Sequence, residues 1–305
     1  MKVTLLLHLE QIFADRPQDA AAGLKDIVQA AEAAGFDACN VTDHPAPAVD
    51  WLQLRGHDAF DPFCALSFAA AATSRILLHT NLVVLPYRNP FITAKAAATL
   101  DVLSGGRLIL GVGTGYLAGE FAALGADHKS RGKDADEAIE VLKLAWSGEP
   151  VVYKGRTFDA AGNLPRPRPL QRPHPRIWCG GNSKAAIRRA ALRCDGWTPF
   201  FTPPGPSASH LADALVTIED LGARLDLLRE LRAEAGRDGP FDICPTSPVQ
   251  LSDRSADLAE QFIEGARRMS DLGANWMCSG VPGKGASEFV ESVHWFGEEV
   301  LPHLR

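Results

Sequence analysis

The stretch ILLHTNLVVLPYRNPFITAKAAATLDVLSGGRLILGV, residues 76–112, decides the fold. Ile76 to Leu85 and Leu108 to Val112 are continuous apolar runs, the pattern of strands covered on both faces. Between them the period lengthens to that of a helix, with Ile92, Ala96, Thr99, Leu100 and Leu103 on one face. Strand, helix and second buried strand in immediate succession make a parallel crossover unit.

The same alternation extends in both directions. Upstream, VTLLL from Val3 and ACNVT from Ala38 read as strands, separated by a helix with Leu24, Ile27, Val28 and Ala31 inward. Downstream, shorter strands are expected at IWC from Ile177, WTPFF from Trp197, FDIC from Phe241 and WMC from Trp276. Helical stripes follow or intervene at Ile139, Leu142 and Trp146, and at Ala185 to Leu192. Others lie at Leu211, Leu215, Ile218, Leu225 and Leu228, at Phe262, Ala266 and Met269, and at Phe289 to Leu301. Eight strands, each with its helix, predict an α/β TIM (β/α)8 barrel as a single domain over residues 1–305. A doubly wound open sheet is the alternative, and it closes with fewer repeats. Two connections exceed what a compact unit needs, one after strand 2 (Asp43 to Pro62) and one before strand 5 (Ser147 to Arg176). The second holds VVYKGRTF, read as a hairpin turning at Lys154-Gly155, then five prolines between Pro165 and Pro175 that favour extended chain. Those prolines fit either a cover over the site or a stiff strap across the barrel surface.

Composition narrows the class. The chain of 305 residues is 46% hydrophobic and 22% charged, which excludes disordered, collagenous and disulfide-scaffold proteins. No apolar run reaches the roughly 18 residues of a membrane span, and the run in MKVTLLLHLEQ is too short for a secretion signal, so a cytoplasmic protein without a membrane partner is expected. A net charge of -6 offers no overall field for nucleic acid, and no nucleic-acid partner is expected. The average hides segregation: Gly148 to Arg193 holds ten Lys or Arg against two acids, a local +8, leaving -14 for the rest. That segment would suit an acidic, phosphate-bearing ligand. The six cysteines form no C-x-x-C pair and read as buried apolar residues.

In a barrel the chemistry sits at the carboxyl ends of the strands. Read in order, those ends carry His8, Asp43 and His44, Asn81, Gly113 to Tyr116, Gly180 to Ser183, and the Ser279 to Gly285 loop. The set is rich in glycine and poor in carboxylates, so paired-acid glycoside hydrolysis is not supported. Asp43-His44 suits acid or base work near neutrality, or else an ordinary loop cap with a solvent-facing His. GGNSKAAIRRA from Gly180 places two glycines and a capping Asn182 or Ser183 before a helix, which fits phosphate as well as it fits a plain strand-to-helix turn. GVGTGYLAG from Gly111 loosely matches a dinucleotide fingerprint, but no second strand follows until beyond Val151, so Gly113, Gly115 and Tyr116 read instead as the bed of a flat ligand. His8-Leu9-Glu10 lacks the H-x-H start of barrel metal hydrolases, and no metal site is expected.

The runs VTDHPAP (41–47), LVVLPYRNPFITAKAAATLDVLSGGRLILGVGTGY (82–116), DEAIEVLKLAWSGEPVVYKGRTF (136–158) and RIWCGGNSKAAIRRAALRCDGW (176–197) together resemble the luciferase-like monooxygenase superfamily. More narrowly, they are similar to its oxidoreductases dependent on the deazaflavin coenzyme F420. The resemblance implies a barrel that binds F420, or alternatively FMN, at the strand ends. It implies a non-prolyl cis peptide at Asn81-Leu82 behind the ring, contact and proton transfer from Asp43 and His44, and phosphate binding at Gly180, Gly181, Asn182 and Ser183. The glucose-6-phosphate dehydrogenase branch has an acid at the place of Tyr116 and an Asn at that of Gly119, so that substrate is not expected. The expected reaction is hydride transfer between F420 and a small organic substrate covered by the two long connections, with His44 handling the proton. Alternatives are an FMN monooxygenase using reduced flavin and oxygen, a silent flavin-binding protein and a metal-dependent hydrolase. A homodimer or higher homo-oligomer is expected.

Overall fold

A computed structural model describes residues 1–54, 56–202 and 213–305. Leu211, counted above in a helical stripe, lies outside the described residues. The strands are β1 (Lys2–Leu6), β2 (Ala38–Val41), β3 (Leu77–Val84), β4 (Leu108–Gly113), β5 (Val151–Lys154), β6 (Asp159–Asn163), β7 (Arg176–Gly180), β8 (Gly196–Thr198), β9 (Asp242–Ile243) and β10 (Trp276–Ser279). All eight expected barrel strands are present, and β5 and β6 form a separate antiparallel hairpin. Its turn follows Lys154 as expected, with the second strand beginning at Asp159 rather than inside RTF. The barrel strands form one sheet in the order β10-β1-β2-β3-β4-β7-β8-β9.

By internal contacts the chain divides into two compact units. The first comprises Met1–Asn40, Arg75–Leu77 and Trp178–Arg305. In it β1 pairs in parallel with β10 (Lys2 opposite Trp276) and with β2 (Thr4 opposite Ala38). Here too the two ends of the strand order meet. Thr246, just past β9, bridges Cys278 of β10, the Cys278 amide donates to the Pro245 carbonyl, and the Ser247 amide donates to that of Cys278. A parallel sheet whose last strands join in this way is closed, which removes its edges. Three fully buried tryptophans fill this unit, and each indole N–H is satisfied: Trp178 and Trp276 donate to Asp242 at 3.3 and 3.1 Å, and Trp197 to the Gly181 carbonyl at 2.9 Å. Burying indole without such an acceptor would forfeit part of its large apolar gain.

The second unit comprises Val41–Ser74 and Leu78–Ile177. It contains the β3–β4 pair, the β5–β6 hairpin and helices Pro62–Ala72, Pro90–Leu103 and Arg131–Trp146. The helix after β3 is rotated from the expected face. Thr93, Ala94, Ala97, Ala98, Leu100 and Asp101 are buried, whereas Ile92 and Leu103 are each 71% exposed. Alanines permit close approach here, and the Trp146 indole reaches the Ala94 carbonyl at 3.0 Å. Larger side chains in place of Ala94, Ala97 or Ala98 would hold the helices apart.

The proline run is a strap. Asp101 accepts from the Leu170 and Gln171 amides at 2.7 and 3.0 Å, and the Gln171 side chain donates to Asp101 and to the carbonyl of Leu108, the first residue of β4. Arg168 donates to the Trp146 carbonyl and Lys95 to that of Arg166. This ties the run to the amino end of β4, opposite Gly113. Of the two readings open for the prolines, the strap is the one found. The hairpin tip (Arg156, Thr157, Phe158) lines a cleft of about 420 Å³ with Tyr87 and Arg88.

Candidate active site

In the second unit, β2 delivers Asp43 and His44 into two separate hydrogen-bonded groups. Asp43 is 4% exposed, and its carboxylate accepts from the Val84 amide at 3.0 Å and from Arg88 at 2.8 and 3.3 Å. Arg88 also reaches Asp61, the cap of helix Pro62–Ala72, at 3.3 Å. Burial pushes the Asp43 carboxyl above its ordinary value, and Arg88 opposes that rise. Asp43 thus ties β2 to the end of β3, and its oxygens are occupied in doing so.

His44 faces another way. Its Nδ1 lies 3.4 Å from Oε2 of Glu120, a fully buried residue on helix Ala118–Ala123. The Glu120 carboxylate also accepts from the Ala46 amide and from the Tyr87 hydroxyl, both at 3.0 Å. Around the imidazole stand Trp51 at 4.7 Å between ring centroids, His57 edge-on at 5.0 Å and Tyr116 edge-on at 6.0 Å. Trp51 and His57 come from the connection after β2, which brings that insertion against His44. Burial lowers the His44 pKa, partly offset by the Glu120 charge, so the ring is neutral near pH 7 and available as a base.

Asn81 and Leu82 form a bulge in β3. The register against β4 shifts between Thr80 and Val83, the Asn81-Leu82 peptide is cis, and these two residues are partly exposed while Leu78 to Thr80 and Val83 are buried. Gly113 lies beside the bulge: a Cβ there would stand 3.1 Å from Leu82 Cδ1. Gly115 has a positive φ of 71°, and a Cβ would meet Val84 at 2.7 Å. Tyr116 follows, 61% exposed. A half-open apolar shelf bordered by glycines fits a flat ring system, and the neutral imidazole and phenol suit its polar edge.

In the first unit, Gly180, Gly181, Asn182 and Ser183 form the turn into helix Lys184–Arg193. Gly181 takes φ 110°, and the Ser183 hydroxyl caps the helix by accepting from the Ala186 amide. The Asn182 side chain is committed elsewhere, donating to the Phe200 carbonyl at 2.8 Å and accepting from the Phe200 amide at 3.1 Å. Its role is to brace the turn, leaving backbone amides as the groups that can meet an anion. Elsewhere in this unit His8 pairs with Glu10 at 3.5 Å. Among the described residues no cluster of three or more His, Cys, Asp or Glu is placed to hold a metal ion.

Sequence reasoning missed Glu120, Tyr87, Arg88 and Asp61. Glu120, Tyr87 and Arg88 stand in or beside runs whose signal is apolar period or glycine spacing, and Asp61 lies in the connection after β2, whose signal is its length.

A family model described as luciferase-like monooxygenase matches residues 1–299. The chain belongs to this family, and its fold is that of the TIM barrel. It is 28% identical to an F420-dependent glucose-6-phosphate dehydrogenase of Nakamurella multipartita, over 92% of each chain. It is 32% identical to an FMNH(2)-dependent dimethylsulfone monooxygenase of Pseudomonas putida, over 55% of this chain and 42% of that protein. Among solved structures, the monooxygenase RslO1 of Streptomyces bottropensis superposes with a TM-score of 0.80 at 23% identity, covering both chains completely.

Proposed function

We propose that the protein is an F420-dependent oxidoreductase that moves a hydride between the coenzyme and a small organic substrate. The observation that carries this reading is the half-buried, neutral His44 held by the fully buried Glu120, in the same unit as a cis-bulged, glycine-bordered shelf at Asn81-Leu82 and Gly113. Asn81 and Leu82 would back the ring, and Gly113, Gly115 and Tyr116 border it; in the first unit the backbone amides of Gly180 to Ser183 suit a phosphate. The bound deazaflavin supplies a two-electron hydride acceptor or donor. His44 takes or returns the substrate's proton at Nε2, Asp43 holds the end of β2 through Arg88, and Trp51 with Tyr116 excludes water. The relative named for F420 over nearly the whole chain supports the coenzyme, and the shorter match to an FMNH(2)-dependent enzyme supports monooxygenation as the second reading. Glucose 6-phosphate is not the proposed substrate, because Tyr116 and Gly119 stand where that branch has an acid and an Asn.

Separate titration with F420 and with FMN, followed by fluorescence of the six tryptophans, tests this. F420 is expected to bind below about 100 µM, near -5.5 kcal/mol. Binding of FMN alone would transfer the assignment to the monooxygenase reading, and binding of neither would remove both.

The proposal includes a small-molecule substrate, no nucleic-acid partner and a cytoplasmic location, which cell fractionation would check. Among the described residues no helix is long and apolar enough to cross a membrane. It also includes a homodimer or higher homo-oligomer, supported by Phe68, Ile92 and Leu103, exposed on two adjoining helices. Light scattering should give a multiple of 32.8 kDa, and a monomer at micromolar concentration would refute it.

A further inference from the structure

We infer that Glu120 is a positioning residue for His44: its carboxylate, fixed by the Tyr87 hydroxyl and the Ala46 amide, keeps the proton on Nδ1 and presents Nε2 as the basic nitrogen. This deepens the function proposed above, in which His44 handles the substrate's proton. The geometry leaves Glu120 few other arrangements. The residue is fully buried, Oε1 accepts from Ala46, and Oε2 accepts from Tyr87 while standing 3.4 Å from His44 Nδ1. An ionised carboxylate can only accept, so a ring nitrogen directed at it must carry hydrogen. Neutral imidazole has one N–H, and the lone pair is then on Nε2.

The other titratable groups about His44 do not compete for Nδ1. The adjacent Asp43 is turned to Arg88, and His57, from the connection after β2, meets the ring edge-on. Tyr116, after β4, also meets it edge-on, and Tyr87, after β3, donates to Glu120. With Nδ1 anchored on one side and Trp51 against the ring on the other, Nε2 keeps a fixed direction through turnover. A purely structural Glu120, tying Ala46 to helix Ala118–Ala123, would need neither the Tyr87 hydroxyl nor an imidazole beside it.

The test is a pH titration of the cofactor-free full chain labelled with 15N-histidine, the His44 signals being assigned by their loss in His44→Gln. The wild type should show Nδ1–H and an unprotonated Nε2 in the neutral form. Glu120→Gln should lower the His44 pKa by about one unit or more, since it removes the charge that favours imidazolium. Tyr87→Phe should shift it less, and Glu120→Asp should restore part of the wild-type value. An Nε2–H tautomer in the wild type overturns the inference without any variant, as does an unchanged His44 titration in Glu120→Gln. If Glu120→Gln does not fold, the wild-type tautomer and Tyr87→Phe decide. Because no cofactor is present, these results stand apart from the F420 and FMN titrations that decide the reaction.

Discussion

Asp43 and His44 are neighbours in sequence with opposite tasks, and the difference lies in what each meets on folding. Asp43 meets a guanidinium and a backbone amide, so its carboxylate anchors the chain beside His44. Arg88→Ala would leave that buried carboxylate with the Val84 amide but without its guanidinium. The expected cost is about 3 kcal/mol, read as a lower urea midpoint, because an unpaired buried charge is penalised more than the pair is worth. Asp43→Asn combined with Arg88→Ala should recover much of it, and a double variant no more stable than Arg88→Ala would refute the argument. The sequence made Asp43, His44, Gly113 and Gly115 legible because strand ends in a barrel are few and chemistry gathers there. It hid Glu120 and Arg88 because a partner's value depends on a contact across 45 or 76 residues, which no local pattern records.

Among the elements, the helix Pro90–Leu103 and the proline strap were each half legible. Both the buried and the exposed faces of that helix carry apolar residues, so hydrophobic period alone could not orient it. Small side chains on the packed face, and Asp101 among them, were the better signal, since a buried Asp implies donors. Those donors are the Leu170 and Gln171 amides of the strap. Asp101→Ala should leave both without their acceptor and cost about 2 kcal/mol, a value moderated by access of water to a partly buried strap. Hydrogen exchange at Leu170 and Gln171 should rise while cofactor affinity stays near wild type, because the strap is anchored at the amino end of β4. Exchange unchanged at both amides would show that Asp101 does not hold the strap, and a large loss of cofactor binding would show that the strap reaches the site after all.

At the scale of the whole molecule, the barrel was legible from the count of strands, and its closure at Thr246 and Cys278 follows from that count. Its acid stability is expected to depend on a group inside an otherwise apolar strand. His79 lies within β3 and is fully buried, and desolvation lowers its pKa from 6.5 to about 3. The folded chain therefore stays unprotonated at His79 where the unfolded chain takes up a proton. Stability is complete above about pH 6.5 and falls as pH drops below it, by about 1.4 kcal/mol per unit, or about 3 kcal/mol by pH 4.5. His44, also lowered, adds to this slope. Asp43 has the opposite sign, because its raised folded pKa gains a proton before the unfolded chain does, and it offsets part of the loss at the acid end. The lowered carboxylates Asp61 and Asp220 contribute stability above the unfolded value of 3.8, so they steepen the loss only near and below that pH. Urea unfolding at pH 7.5, 5.5 and 4.5 should show the decline, and His79→Gln, which cannot titrate, should flatten it. A variant with the wild-type slope would mean that the acid limb belongs to other groups and that the buried imidazole is not what limits this barrel at low pH.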